Sequence, residues 1–238
     1  WARSRCSARW QNDARPPFQP QEPLTEEMPL QALYPALATV TAYLIGSLSF
    51  AVIVSRLMGL SDPRTYGSKN PGATNVLRSG SKAAAIVTLL LDAVKGWLPV
   101  FVVAHWGEPF GLGAGTVALV GLAAFLGHLF PVFFKFQGGK GVATAAGVIL
   151  GFNPWLGLAS LLTWLIIAIF FRYSSLASIV TAVFAPAYYL LGGGVAWEAP
   201  GVMVLGLAVM AVLLVWRHAE NINRLLTGKE SQLGAKKK

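Results

Sequence analysis

Residues 83–104 read AAAIVTLLLDAVKGWLPVFVVA, with Asp92 and Lys95 as the only ionisable side chains. A helix needs about 20 mainly apolar residues to cross a hydrocarbon core of ~30 Å, and this run has that length. Six further apolar runs lie at roughly 33–58, 112–130, 141–152, 155–171, 176–193 and 199–217. The run at 141–152 is short for a span. Gly147, Gly151, Asn153 and Pro154 interrupt it and predict a tight turn before the next. The fold expected is all-α, a polytopic integral membrane protein with about seven transmembrane helices. Composition agrees: 55% of the 238 residues are hydrophobic and 12% are charged, about half the charge of a soluble domain. That balance excludes a disordered chain and an ordinary water-soluble globule.

The formal net charge is +9. Residues 1–27 hold four Arg and four acids, so the whole excess lies in residues 28–238. There it forms short clusters between apolar runs, unlike the basic stripe of a nucleic-acid-binding protein. The connections holding Arg56 to Lys82, Lys135 with Lys140, Arg172, and Arg217 to Lys238 carry 5, 2, 1 and 6 positive residues. The alternate connections, near 106–111, 151–154 and 192–199, carry none. By the positive-inside rule, seven spans give this alternation, with the N-terminus outside and the C-terminus cytoplasmic. Residues 1–27 form a polar leader without an apolar stretch, so they are no signal peptide. Met28 is the expected native start, with 1–27 an upstream extension and 28–238 a single transmembrane domain. The single cysteine, Cys6, permits neither an intramolecular disulfide nor a Cys-based metal site.

Asp92 and Lys95, at i and i+3 inside the second run, have two readings. One is a structural ion pair, the other an active-site or transport carboxylate. The spacing favours the pair, because the two charges neutralise each other. Small residues such as Gly46, Gly127 and Gly147 suit close helix packing.

Three polar segments stand on the expected cytoplasmic side. In the first, YGSKNPGATNVLR at 66–78, two Gly, one Pro and two Asn prevent a helix through 67–72. Ser68, Lys69, Asn75 and Arg78 could cradle an anion there, or form a plain polar loop. In the second, HLFPVFFKFQGGKGVAT at 128–144, Gly138, Gly139, Lys140 and Gly141 open a helix. A glycine turn, a Lys and a helix N-terminus make a phosphate site. It is no nucleotide-hydrolysing P-loop, since Phe134 and Gly141 stand where that motif needs Gly and Ser or Thr. His128 reads as an interfacial residue at a helix end. In the third, RHAENINRLLTGKE at 217–230, a continued helix would set His218, Asn221 and Arg224 on one face. The alternative is a basic end that meets anionic lipid, which is the reading for Lys236 to Lys238. No Gly-x-Ser-x-Gly elbow, His-x4-Asp dyad or metal-spaced cluster is present, and no cofactor is expected.

These segments resemble the membrane glycerol-3-phosphate acyltransferase family that uses acyl phosphate, the PlsY family. Its marks are a Gly-Ser-x-Asn-x-Gly-Ala-Thr-Asn loop, a Gly-His-x-Phe-Pro…Gly-Gly-Lys-Gly-Val-Ala-Thr loop and an Arg-His-x-x-Asn-Ile-x-Arg-Leu end. They read here at 67–75, 127–144 and 217–225, with Lys69 where the first loop usually has Gly. The resemblance implies acyl transfer from acyl phosphate to the 1-hydroxyl of glycerol 3-phosphate, the first step of bacterial phospholipid synthesis. The product would be 1-acyl-glycerol 3-phosphate, made at the cytoplasmic face of the inner membrane. A soluble enzyme that makes acyl phosphate is the implied upstream partner, and the lipid bilayer the surroundings. By carry-over, Ser68, His218 and Asn221 take catalytic places. Asn70, Asn75, Arg78, Gly138, Gly139, Lys140, Gly141 and Arg224 take phosphate- or substrate-binding places. The rival expectation is a transporter of an organic phosphate. Against it, no repeat relates the two halves of the chain.

Overall fold

The computed structural model describes residues 30–234. The leader 1–27 and Lys236 to Lys238 lie outside the described residues. The described chain is helical, and a helix occupies each of the seven apolar runs. They are α1 (Tyr34–Gly46) with α2 (Phe50–Leu57), α4 (Lys82–Trp106), α5 (Ala114–Leu129), α6 (Val142–Phe152), α7 (Pro154–Phe171), α8 (Ser174–Gly192) and α9 (Gly201–Arg217). Two short helices, α3 (Ala73–Leu77) and α10 (Ala219–Leu226), lie in the first and third polar segments.

Local chemistry sets the boundaries. The Ser81 hydroxyl accepts from the Ala84 N–H at 3.2 Å and caps α4. Asn153 ends α6, and its Oδ1 then accepts from the N–H groups of Trp155 and Leu156, at 2.8 and 3.0 Å. Pro154, at the first position of α7, has no N–H to leave unpaired.

Four helical stretches are long and apolar enough to cross a membrane: Lys82–Trp106, Ala114–Phe134, Pro154–Phe171 and Ser174–Gly192. Two bent pairs, α1 with α2 at 43° and α9 with α10 at 57°, bring the number to as many as six. The 11 residues of α6 reach only about 16 Å, well short of the hydrocarbon core.

Two expected continuous helices are broken. The first run stops at Gly46 and restarts at Phe50. Ser47 donates its hydroxyl to the Tyr43 carbonyl at 2.8 Å, a local bond that competes with the helical ladder. The third polar segment does not continue α9. The chain turns at His218, whose Nδ1 lies 2.8 Å from the Leu214 carbonyl oxygen, so α10 runs off at an angle.

Glycines let the helices meet backbone to backbone. A Cβ at Gly147 would collide with the Ala93 carbonyl, and one at Gly96 with the Thr144 carbonyl, so α6 lies directly on α4. Gly46 and Gly127 do the same for α1 and α5. Val100, Val120, Phe125, Leu129, Val148 and Leu156 fill the shared core. The outer faces of α7 and α9 are exposed aliphatic and aromatic surface, as a helix facing lipid requires.

Lys69 stands at φ +54°, where the resembling family usually has Gly. The turn keeps the left-handed conformation that glycine favours, at a cost of about 1 kcal/mol or slightly more for a side-chain-bearing residue. Lys69→Gly is therefore expected to raise thermal stability in detergent by about 1 kcal/mol, and Lys69→Val to lower it. Gly147→Ala should cost about 1–3 kcal/mol through overpacking against α4. Gly115→Ala, with nothing within 4 Å of the added carbon, should be neutral; equal unfolding temperatures for the two alanine variants would contradict the packing account.

Candidate active site

The three polar segments, far apart in sequence, close around one cavity of about 360 Å³. Ser68, Lys69 and Asn70 come from the first segment, Gly138 and Lys140 from the second, and Arg217, Glu220 and Arg224 from the third. Its walls are mostly polar, with cations in excess. A larger cleft of about 580 Å³ is lined by Glu108 and Glu198 with no Lys or Arg, which suits it poorly to an anion.

In the first segment Asn75 serves the loop rather than the cavity. Its Oδ1 accepts from the Ser68 N–H at 3.1 Å and from Arg78 Nη1 at 3.3 Å. Its Nδ2 donates to the carbonyls of Pro63 and Tyr66 at 2.7 and 3.1 Å. With every polar atom engaged and the side chain buried, Asn75 holds Ser68 in place. Arg78 also stands off the cavity and donates to Ser231 Oγ at 3.1 Å.

Arg217, in the cavity wall, grips the glycine loop. Arg217 donates through Nε to the Gly139 carbonyl at 3.2 Å, and through Nη2 to the carbonyls of Gly138 and Gly139 at 3.0 Å each. Each peptide carries its N–H opposite its carbonyl, so the Lys140 N–H points away from Arg217. The Gly139 N–H donates to the His128 carbonyl at 3.1 Å. Of the glycine amides expected to hold phosphate, that one is already occupied. Gly141 adopts φ +83° and a Cβ there would strike Phe125, so glycine is required where α6 begins. Among the described residues nothing accepts from the N–H groups of Lys140, Val142 or Ala143. These donors and the positive end of α6 remain for an anion.

Lys140 Nζ donates to Asn221 Oδ1. Asn221 Nδ2 donates to Glu230 Oε1 at 2.6 Å, and Ser175 Oγ donates to the same oxygen at 2.7 Å. Arg224 Nε donates to Glu230 Oε2 at 2.7 Å. Burial opposes ionisation of Glu230, yet the bonds from Arg224, Asn221 and Ser175 hold its carboxyl below the usual range. Burial, reinforced by the charge of Arg224, brings Lys140 down to about 8 against the attraction of Glu230 and Glu220. Burial likewise lowers His218 to about 4, so its imidazole is neutral near pH 7. The Leu214 carbonyl can only accept, which fixes the His218 proton on Nδ1.

Of the residues expected to form a site, Ser68, Asn70, Gly138, Lys140 and Arg224 line the cavity. His218 and Asn221 stand one layer behind it, 2% and 7% exposed, because the bend after α9 tucks the start of α10 inward. His128 is buried between helices instead of interfacial, at 7% exposure. Arg217 and Glu220 in the cavity wall, and Ser175 and Glu230 behind it, are residues that sequence reading missed as site members. Glu230 alone carried a local sign, as an acid set between Arg224 and Lys229 and a basic tail. No group of three or more His, Cys, Asp or Glu that could hold a metal ion occurs among the described residues.

Comparison with known proteins bears on this arrangement. A family model described as glycerol-3-phosphate acyltransferase matches residues 36–228. The glycerol-3-phosphate acyltransferase of Albidiferax ferrireducens is 65% identical over 216 residues, covering 91% of this chain and 96% of the relative. That of Ralstonia pickettii is 64% identical over 209 residues, covering 86% and 98%. Among solved structures, the glycerol 3-phosphate form of PlsY, an integral membrane glycerol 3-phosphate acyltransferase, superposes with a TM-score of 0.77 at 40% identity. It covers 84% of this chain and 96% of its own. The lysophosphatidic acid form of PlsY gives 0.76 at 39% identity, covering 84% and 95%. With its three polar segments folded onto one cationic cavity, the chain belongs to the glycerol-3-phosphate acyltransferase family.

Proposed function

We propose that this protein transfers a fatty acyl group from acyl phosphate to the 1-hydroxyl of glycerol 3-phosphate, releasing 1-acyl-glycerol 3-phosphate and phosphate. The observation that carries the reading is the single cavity where Ser68, Asn70, Lys140 and Arg224 meet from three segments. Both substrates carry phosphate, and the cavity offers cations and unpaired amides. The relatives' shared name supports the acceptor. The donor rests on the likeness to PlsY and on chemistry: an acyl phosphate is already activated, so positioning and charge neutralisation are the main demands on the protein.

In this reading the acceptor hydroxyl oxygen attacks the acyl carbonyl carbon, and the bond from that carbon to the phosphate oxygen breaks. The hydroxyl proton passes to a phosphate oxygen, since the cavity wall presents no carboxylate–imidazole dyad. Lys140 and the amides at the start of α6 hold a phosphate. Ser68 and Asn70 contact substrate from the first loop, and Arg224 from the third segment. Asn221 and His218 act from behind, Asn221 by aiming Lys140. The alternation of basic and uncharged connections supports an N-terminus outside and this cavity at the cytoplasmic face of a bacterial inner membrane. A soluble enzyme that makes acyl phosphate supplies the donor.

The test is purified protein with labelled glycerol 3-phosphate and, in separate arms, acyl phosphate, acyl-CoA and acyl-carrier protein. Lysophosphatidate from the acyl-phosphate arm alone is expected. Product only from another donor would sink the reading. So would flux of glycerol 3-phosphate across sealed vesicles without acylation, which is the transporter's signature.

The Lys140 charge gives a pH signature. Free enzyme loses this cation as pH rises through about 8, so kcat/KM should decline above that value. Lys140→Arg, charged throughout, should move the decline out of range. Lys140→Ala should lower kcat/KM by about 100-fold or more.

A further inference from the structure

One buried polar network is left over by this chemistry. Asp92 and Lys95 of α4 are each 2% exposed. Lys95 Nζ stands 2.8 Å from Asp92 Oδ1 and donates to the Leu48 carbonyl at 2.6 Å. Leu48 lies in the break between α1 and α2. Its carbonyl has lost the amide four residues on, which bonds Ser49, and meets only the Phe50 N–H across a tight turn. Lys95 thus supplies a donor where the helix fails to, beside the Phe50 ring at 5.6 Å.

The network runs on towards the glycine loop. Asp92 Oδ1 accepts no well-aligned hydrogen bond; it acts through charge, 3.6 Å from His128 Nδ1. That nitrogen also lies 3.1 Å from Thr144 Oγ1 in the first turn of α6. The His128 carbonyl takes the Gly139 N–H, and its Nε2 packs so closely on Gly139 that a Cβ there would collide with it. An unbroken series of contacts therefore joins the α1–α2 break to the residue before Lys140.

A pair needed only for stability has no reason to end on that loop. Buried ion pairs replaced by apolar groups of similar volume often cost nothing. We infer that Asp92, Lys95 and His128 are positioning residues: the ion pair fixes the His128 ring, and the ring fixes Gly139 and the direction in which Lys140 leaves the backbone. The inference rests on the acyl-transfer reading for its substrate, and displacements near 1 Å in such supports cost about 100-fold.

The test uses the full chain in detergent. Asp92→Asn with Lys95→Gln removes both charges together, so neither is stranded in the membrane, and keeps a donor for the Leu48 carbonyl. The melting temperature should hold, while KM for acyl phosphate rises about 10- to 100-fold and kcat changes little. His128→Gln should reproduce the KM rise, and all three changes together should add nothing further, as members of one network do. A wild-type KM in the double variant would overturn the inference. Should the double variant fail to fold, a wild-type KM in His128→Gln overturns it alone. Inorganic phosphate binding, measured in parallel by calorimetry, reads the loop without chemistry. Wild-type protein that binds phosphate but transfers no acyl group refutes the acyl-transfer reading; variants that then bind phosphate like wild type refute the network.

Discussion

The grip of Arg217 on the carbonyls of Gly138 and Gly139 joins two segments about 78 residues apart in sequence. Glycine has no side chain to hold its own conformation, and such a loop samples many states when unsupported. Two carbonyls taken by one planar guanidinium leave it few. The peptide planes are then oriented, and the start of α6 is held beside the cavity. Lysine, a point charge without the fork, could not reach both carbonyls in this way. The electrostatic site is therefore built as much by the arginine that holds the loop as by the lysine the loop presents.

Collecting Lys140, Arg217 and Arg224 around one hollow has a cost, because like charges in a poorly solvated place repel. Burial first, and then the charge of Arg224, depress Lys140. Glu230 offsets that cost, with one carboxylate oxygen on Arg224 and the other on Asn221 and Ser175. Asn221 relays the balance, since its amide accepts from Lys140 and donates to Glu230. In the proposed reaction, an arriving phosphate would meet cations already held in position, leaving little reorganisation for the moment of reaction.

Much of this was legible in the sequence. Apolar run length found every long helix, Asn153 and Pro154 marked the turn after α6, and three glycine- and asparagine-rich segments marked the site. What escaped depends on contacts between distant residues. In TAYLIGSLSFAVI the Gly46-Ser47 pair permits a kink, but the break at 47–49 also depends on Lys95, almost fifty residues on, which supplies a donor to the freed Leu48 carbonyl. Helical spacing put His218, Asn221 and Arg224 on one face, but a bend at His218 moved the first two behind the cavity wall. Asn75 looked like an anion ligand by type, and only its four local partners show it turned inward. Local pattern encodes where polar segments fall; which polar atom faces the ligand is decided by what the others have already bonded.

The shortness of α6 follows the same logic. A helix of about 16 Å cannot carry both its ends out of a ~30 Å apolar slab, and at such depth each backbone group needs a partner from the protein. At the far end Asn153 provides one for the first amides of α7. At the near end Arg217 takes the loop carbonyls and His128 the Gly139 amide. Among the described residues, the amides from Lys140 to Thr144 donate to no partner. These unpaired amides at the positive end of α6 favour an anion beside them. A water-soluble phosphate and a lipid-soluble acyl chain have to meet at a boundary between the two media. A short helix with a glycine-loop entrance sets such a boundary inside the protein.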